Sequence, residues 1–288
     1  MSESSSTVID STLMPSKRDF HDSKSSTYWL PKDDEEQDRL TGQHFAVKEL
    51  FEGNMLTSVA EKLDFTKNLS ILDVGCGSGS WLMDMASDYP QCTFEGCDIV
   101  EVTNKNIAPP QVHFCYGDVL KGLEYSDNSF DFVHMRLFIL ALRENEWPAV
   151  IKELIRVTKP GGIIQLLEID LKKKKEFNHG LVHIACAARG QDPRIAIKLD
   201  SLLAANDNIK VVQTDYRSVD MASNTATAKK FLWDWKQTVK SMMPVVGPKI
   251  GLATAEEQQK FIKLLVQDAT TSGAQTCMNG VAAQKLHE

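Results

Sequence analysis

The first candidate site is the glycine-rich segment Asp73 to Gly79, which stands between an apolar run and a helical pattern. Glycine lets the backbone approach a ligand closely, and the helix that follows points unpaired N–H donors at an anionic group. The spacing is G-x-G-x-G rather than the G-x-G-x-x-G of dinucleotide-binding enzymes, which disfavours hydride transfer. The segment predicts a nucleotide-like ligand, with a purely structural tight turn as the alternative.

Three aspartates, Asp73, Asp98 and Asp118, stand at the ends of successive predicted strands. The carboxyl ends of parallel strands meet at one edge of a sheet, and ligands bind in the crevice outside that edge. There, Asp98 can accept hydrogen bonds from both hydroxyls of a ribose, and Asp118 can accept one from an adenine amine. A single aspartate at such a place more often caps a turn or a helix. The repetition at three strand ends favours a binding site.

A doubly wound α/β sheet is needed to place those side chains together. The predicted elements of this part are strands at 71–74, 93–98, 112–116, 130–135 and 162–169, and helices at 80–87 and 144–157. Strands that alternate with helices predict parallel pairing. The segment Lys159 to Gly162 is predicted to end the second helix, because proline cannot continue a helix and glycine accepts the left-handed conformation.

Helical segments are predicted on both sides of this alternation. They comprise 34–59 before the first strand and, after Asp170, an insertion at 179–205, a strand at 209–216, helices at 225–243 and 255–271, and a last strand at 274–286. Residues 1–26 have few large apolar side chains and are predicted to be a flexible tail, so the domain comprises 27–288. We expect the helical parts, about 28–66, 177–207 and 224–272, to cover the site and set the substrate's size.

Composition and charge disfavour several classes of protein. The net charge of −7 over 288 residues works against the basic surface that nucleic-acid binding requires, so no nucleic-acid partner is predicted. No apolar run approaches the roughly 20 residues that cross a bilayer, so no membrane partner is predicted. The six cysteines form no C-x-x-C pair, which indicates reduced thiols in an intracellular protein. We predict a cytoplasmic location; the run Lys172 to Lys175 leaves a nuclear one open, with a solvated loop as the alternative.

Taken together, these segments resemble the class I S-adenosylmethionine (SAM)-dependent methyltransferases. Asp73 to Gly79 resembles their first motif, Asp98 their ribose-binding acid, Gly117-Asp118 their adenine-contact motif, and Lys159 to Gly162 the turn before their fifth strand. The resemblance implies a Rossmann-like sheet of seven strands with helices on both faces, an antiparallel last strand, and SAM as cofactor, released as S-adenosylhomocysteine. The implied cofactor-binding residues are Asp73, Gly75, Cys76, Gly77, Ser78, Gly79, Trp81, Asp98, Ile99, Gly117, Asp118, Val119, Met135 and Arg136.

A narrower resemblance comes from the segment Tyr28 to Leu40 with His44, and from Val133 to Arg136. These are similar to the LaeA-like and TAM-domain methyltransferases typical of fungi, which include small-molecule enzymes and regulators of secondary metabolism. In that family N-terminal helices cover the cofactor, so Tyr28, Arg39 and His44 are implied at its edge. Surface ion pairs on a helix are the alternative.

Methyl transfer is an in-line displacement, so an enzyme of this family mainly positions the reactants and excludes water. A general base is needed only where the acceptor loses a proton during attack. His134 is the first candidate because it ends the fourth predicted strand; His179 and His183 follow, and a strand-end histidine without a catalytic role is the alternative. Arg136 is a candidate for binding a carboxylate of the cofactor or the substrate. The dispersed histidines predict no metal site.

The predicted function is methyl transfer to a small organic molecule, with a role in secondary metabolism as one interpretation. Apolar and aromatic residues of the covering helices, such as Trp235 and Met242, suit an apolar acceptor, with plain helix packing as the alternative. The second hypothesis is a regulatory or scaffolding protein that acts through protein partners. Methylation of RNA or protein is disfavoured, because the chain has no basic surface and no Asn-Pro-Pro-Tyr-like motif after the fourth strand. The acceptor atom and the oligomeric state stay open.

Overall fold

A computed structural model describes residues 18–20, 28, 30–100, 108–172, 182–183 and 185–287. Most of the predicted tail, residues 173–175 of the lysine run, and His179 lie outside the described residues. Within the predicted tail, Arg18 forms an ion pair with Asp33 at 2.6 Å, and Phe20 forms a β-bridge with Pro31. The prediction of a flexible tail is therefore wrong for residues 18–20, because a charge pair and a backbone contact hold them to the domain.

Seven strands form one sheet in the order β3-β2-β1-β4-β5-β7-β6. The strands are β1 (Ser70–Val74), β2 (Thr93–Asp98), β3 (Val112–Tyr116), β4 (Phe130–Arg136), β5 (Thr158–Ile169), β6 (Ile209–Asp220) and β7 (Gln275–Lys285). The first five are parallel, whereas β7 runs antiparallel to β5 and β6. The predicted α/β fold with an antiparallel last strand is confirmed. The strand order reverses between β1 and β4, which is where open α/β sheets bind ligands.

Helices cover both faces of the sheet. They are α1 (Asp34–Leu50), α2 (Thr57–Lys62), α3 (Ser80–Asp88), α4 (Trp147–Val157), α5 (Leu199–Ala204), α6 (Ala226–Val246) and α7 (Ala255–Thr271). On one face Trp147, Ile151 and Leu154 of α4 are completely buried; on the other, so are Trp81 and Leu82 of α3. Burying each such side chain contributes about 1.5–3 kcal/mol, which fixes the sheet between two apolar layers. No helix of the described residues is long and apolar enough to span a bilayer.

Two predicted helical segments are corrected. The helix predicted at 34–59 is two helices, since the chain after α1 turns through Glu52 (φ 59°) and the amide of Leu56 donates to Gln165 Oε1 at 2.7 Å. The helix α4 ends at Val157, as predicted, but the predicted turn at Lys159 to Gly162 lies within β5, because Thr158 already pairs with Phe130 in the sheet.

The insertion predicted as helical over 179–205 is likewise interrupted. Gly190 takes a φ of 71°, and regular helix returns only in a 3-10 turn at Ile195–Lys198 and in α5. The strand β6 is longer than predicted because its pairing with β7 continues to Asp220 opposite Gln275.

Candidate active site

A cavity of about 570 Å³ opens at the carboxyl edge of the sheet. The last residue of each of the five parallel strands lines it: Val74, Asp98, Tyr116, Arg136 and Ile169. Its size lies within the range of small-molecule sites. Twelve of the predicted cofactor-binding residues line this cavity, namely Tyr28, Arg39, Gly75, Cys76, Gly77, Ser78, Asp98, Ile99, Gly117, Asp118, Val119 and Arg136.

The glycine-rich loop forms the cavity floor between β1 and α3. Gly75, Gly77 and Gly79 have φ angles of 67°, 55° and 73°, a left-handed conformation that side-chain-bearing residues rarely adopt. The amides of Gly75 and Cys76 both donate to the carbonyl of Cys97, at 2.8 and 3.1 Å. The loop is thus pinned to the neighbouring strand with its backbone exposed to a ligand.

Asp98 is the carboxylate at the tip of β2. Its Oδ2 accepts the amide of Gly77 at 2.8 Å, and its Oδ1 accepts the amide of Val100 at 3.0 Å. Loss of water raises the pKa of Asp98, while these two amides oppose that rise. A carboxylate has about four lone-pair sites, so two remain for donors from the cavity.

The turn after β3 contributes Gly117 and Asp118. A Cβ at Gly117 would lie 2.9 Å from Cys97 Cβ, so only glycine fits there. Asp118 caps its own turn, accepting the amide of Leu120 at 3.1 Å and pairing with Lys121 at 2.8 Å. Asp118 therefore caps a turn, which was the alternative to a binding role, and its carboxylate also lines the cavity.

Helices α1 and α6 cover the cavity. Arg39 of α1 is 3% exposed and pairs with Glu36 at 2.7 Å and with Asp234 of α6 at 2.6 Å. Gln43 donates to the other oxygen of Asp234 at 3.1 Å. The alternative of surface ion pairs is therefore wrong at Arg39, whose charge is balanced inside the protein by two carboxylates.

The cavity wall includes an apolar segment that the sequence analysis did not predict. Residues 137–142, directly after β4, line the cavity together with Trp235 and Met242 of α6. Leu137 has a φ of 60°, and the amides of Phe138 and Ile139 donate to Glu168 at 2.6 and 3.2 Å. The available signal was position alone, since the segment follows the fourth strand.

His134 does not face the cavity. It is 1% exposed, its Nδ1 lies 2.8 Å from Asp73 Oδ1, and its ring stacks on Trp81 with centroids 4.0 Å apart. Burial lowers the pKa of His134 although Asp73 opposes this shift. The structure corrects the prediction that His134 is a base beside the acceptor, because Trp81 and Asp73 enclose it.

Five further predicted contacts lie behind the cavity wall: Asp73, Gly79, Trp81, Met135 and His44 do not line it. Met135 is 1% exposed and packs in the core, and Trp81 donates its indole N–H to the carbonyl of Asn54 at 2.9 Å. His183 bonds to the carbonyl of Leu171 and does not line the cavity either. These residues support the site from behind.

The described residues around the cavity form no metal centre. In the described part of the chain, no group of three or more His, Cys, Asp or Glu side chains could hold a metal ion. The cysteines are free thiols, and Cys115 is the exposed one.

Comparison with known proteins agrees with this fold. A family model described as a methyltransferase domain matches residues 71–162. The chain is 33% identical to the secondary metabolism regulator laeA of Coprinopsis cinerea over 58% of this chain and 43% of that protein. It is 27% identical to methyltransferase str2 of Strobilurus tenacellus over 85% of this chain and 91% of that one.

Among solved structures, phosphoethanolamine N-methyltransferase 2 of Haemonchus contortus, determined with S-adenosylhomocysteine, superposes with a TM-score of 0.54. The two chains are 14% identical over 87% of this chain and 60% of that one.

The fold and the match over residues 71–162 support a class I SAM-dependent methyltransferase, the class whose cofactor is SAM. Over part of its length the sequence is similar to those of the LaeA proteins. The chain spans about half the length of the LaeA proteins it matches, 43% and 53% in two of them.

Proposed function

We propose that this chain transfers a methyl group from SAM to a small organic molecule with an apolar body. The observation that carries the proposal is the convergence of five strand tips, a left-handed glycine loop and Asp98 around one cavity. When bound, SAM supplies a methyl group activated by a positively charged sulfur. In this proposal Asp98 holds the ribose, the backbone of Gly75 to Gly77 lies against the methionyl part, and Asp118 lies at the adenine.

The acceptor is proposed to lie between the segment 137–142 and helix α6. Leu142, Leu171, Trp235 and Met242 supply apolar surface there, and closure by α1 and α6 would exclude water. The acidic residues of that wall are already paired, Asp234 with Arg39 and Glu146 with Arg143 at 2.6 Å each, and none of its described residues is a histidine. We therefore expect an acceptor atom that attacks without help from a protein base.

Calorimetry with S-adenosylhomocysteine tests the cofactor site. Asp98→Ala removes two charge-assisted hydrogen bonds to the ribose, and we expect a loss of affinity of roughly a hundredfold or more. Asp207→Ala changes an exposed aspartate outside the cavity and serves as the control. Equal affinities of the Asp98→Ala variant and the wild type would refute the assignment of Asp98.

Incubation with methyl-labelled SAM and a metabolite extract, followed by mass detection, tests the transfer itself. A labelled small product that disappears in Asp98→Ala supports the enzyme. The competing hypothesis is a regulator that acts through protein partners. It is favoured by the similarity to LaeA proteins, which are described as regulators of secondary metabolism. A stable protein partner together with no labelled product would count for the regulator and against the enzyme.

A further inference from the structure

Arg136 differs from the other cations that line the cavity. Among the described residues, each of the others has a carboxylate within ion-pair distance: Lys32 with Asp19, Arg39 with Asp234, Lys121 with Asp118, and Arg143 with Glu146. No described carboxylate lies that close to Arg136. Among the described residues, its guanidinium is therefore the one positive charge of the cavity wall without a carboxylate within ion-pair distance.

An uncompensated charge in a half-buried position is costly. Loss of water lowers the pKa of Arg136, and the more distant charges of Asp73 and Asp84 oppose this shift. The hydrogen bond described for its side chain runs from Nη2 to Nδ1 of His44, at 3.2 Å. A guanidinium has five N–H donors, so several are available to an anion in the cavity.

His44 is held as a neutral imidazole. Burial, and then the charge of Arg136, lower the pKa of His44 to about 4. Its Nε2 lies 3.0 Å from Asp84 Oδ2, an oxygen that also accepts Lys48 at 2.6 Å and Asn54 at 2.9 Å. Because Arg136 can only donate and the Asp84 carboxylate can only accept, Nε2 carries the proton and Nδ1 is the acceptor.

Because His44 is neutral, it does not cancel the positive charge of Arg136. A carboxylate in the place of His44 would orient Arg136 but would also neutralise it, and its affinity for a second anion would fall. A neutral imidazole fixes the guanidinium and leaves its charge available. Asp84, held by Lys48 and Asn54, fixes the imidazole in turn.

The position of Arg136 in the sheet indicates which part of a bound ligand would lie near it. It follows Met135, which pairs in register with Val74, so Arg136 lies beside the glycine loop where β1 meets β4. Asp98 lies on β2, on the opposite side of β1 from β4. A ligand whose ribose contacts Asp98 and which extends over Gly75 and Gly77 places its far end near Arg136.

Resting on the proposed function, we propose that Arg136 binds the carboxylate of the cofactor's methionyl end, and that His44, itself held by Asp84, is the positioning residue that aims it. The His44 side chain, which does not line the cavity, thus affects cofactor binding through Arg136.

The test compares two ligands that differ only in that carboxylate, SAM and decarboxylated SAM. Their dissociation constants are measured by calorimetry on the full chain. We expect the wild type to prefer SAM, and Arg136→Met to reduce this preference roughly tenfold or more, because a charge-assisted hydrogen bond is lost. Affinity for decarboxylated SAM should not fall in this variant.

Two neutral replacements of His44 separate its two contacts. Asparagine places an amide oxygen near the position of Nδ1 and can still accept from Arg136, whereas glutamine places its amide near Nε2 and contacts only Asp84. We expect His44→Asn to keep most of the preference and His44→Gln to lose roughly tenfold of it. Glu49→Gln, on the same helix and outside the cavity wall, is the control and should match the wild type.

The outcomes are distinguishable. A wild type that binds neither ligand overturns the proposed function, and this proposal with it. A wild type that binds SAM, with an Arg136→Met variant whose preference is unchanged, overturns only the carboxylate site. Equal preferences in His44→Asn and His44→Gln would overturn the positioning role of His44 and leave Arg136 in place.

Discussion

A single carboxyl group, that of Glu168, fixes the backbone of the wall after β4. It is 1% exposed, and both of its oxygens accept amides of the segment that begins at Leu137. The ring of Phe138 then packs against Gly75, where a Cβ would lie 2.3 Å from the ring. Glu168 thereby couples the apolar wall to the glycine loop, although it does not line the cavity.

Burial raises the pKa of Glu168 to about 8, against the bonds from those amides. The folded state thus holds the proton more tightly than the unfolded state. The protonated Glu168 side chain makes its full contribution to the free energy of unfolding below pH about 4.5. This contribution is lost as the pH rises towards 8. We expect the wild type to lose stability over this range relative to Glu168→Gln, by on the order of a few kcal/mol.

Urea unfolding at several pH values between 5 and 8 measures this difference. The exposed replacement Glu61→Gln serves as control and should run parallel to the wild type. Parallel curves for the wild type and Glu168→Gln would contradict a proton held at Glu168.

At the scale of elements, a buried ion cluster joins α1 to α6 above the cavity. Glu36 is completely buried, Arg39 lies between it and Asp234, and Ser241 of α6 donates to Glu36 at 3.1 Å. A buried charge left without its partner is strongly destabilising, so this contact depends on all of its members. The pairing also holds the two helices together where they line the cavity.

We expect Arg39→Met to reduce the free energy of unfolding by about 3–5 kcal/mol, because it removes the guanidinium that lies between the carboxylates of Glu36 and Asp234. Adding Glu36→Gln and Asp234→Asn should recover much of the loss. Lys240→Met breaks the exposed pair with Glu35 between the same two helices and should cost less than about 1 kcal/mol. Urea unfolding that ranks the two single variants equally would contradict the buried cluster.

At the scale of the whole molecule, the cavity lies between a rigid sheet edge and two helices. Its walls come from β1 to β5 on one side and from α1 and α6 on the other, so a bound ligand contacts both. Ligand binding to the folded state alone raises stability by about 2.7 kcal/mol at one hundred times its Kd. That stabilisation should be concentrated in the covering helices.

Hydrogen exchange with and without S-adenosylhomocysteine checks this expectation. Amides of α1 and α6 should exchange more slowly with the ligand, since opening them must now release it. The buried face of α4 packs in the core, and its exchange should change little. Uniform slowing over all helices would contradict local closure.

Local sequence patterns were sufficient to predict the α/β class, the strands around the glycine loop, and the position of the acidic residue at the tip of β2. These features depend on neighbours in sequence: apolar runs of strand length, glycines before a helix, and an aspartate where a strand ends. The predicted strand at 93–98 and helix at 255–271 match the observed elements residue for residue. The ligand class followed from the same short segments.

Tertiary structure alone decided which polar residues line the cavity. His134 and Arg136 stand two positions apart on one face of β4, yet Trp81 of α3 covers the first, and the second extends past the strand end into the cavity. His44 and Arg39 lie on the same helix, but one faces Asp84 and the other Asp234. Such differences arise from contacts between residues far apart in the chain, and spacing within one segment cannot specify them.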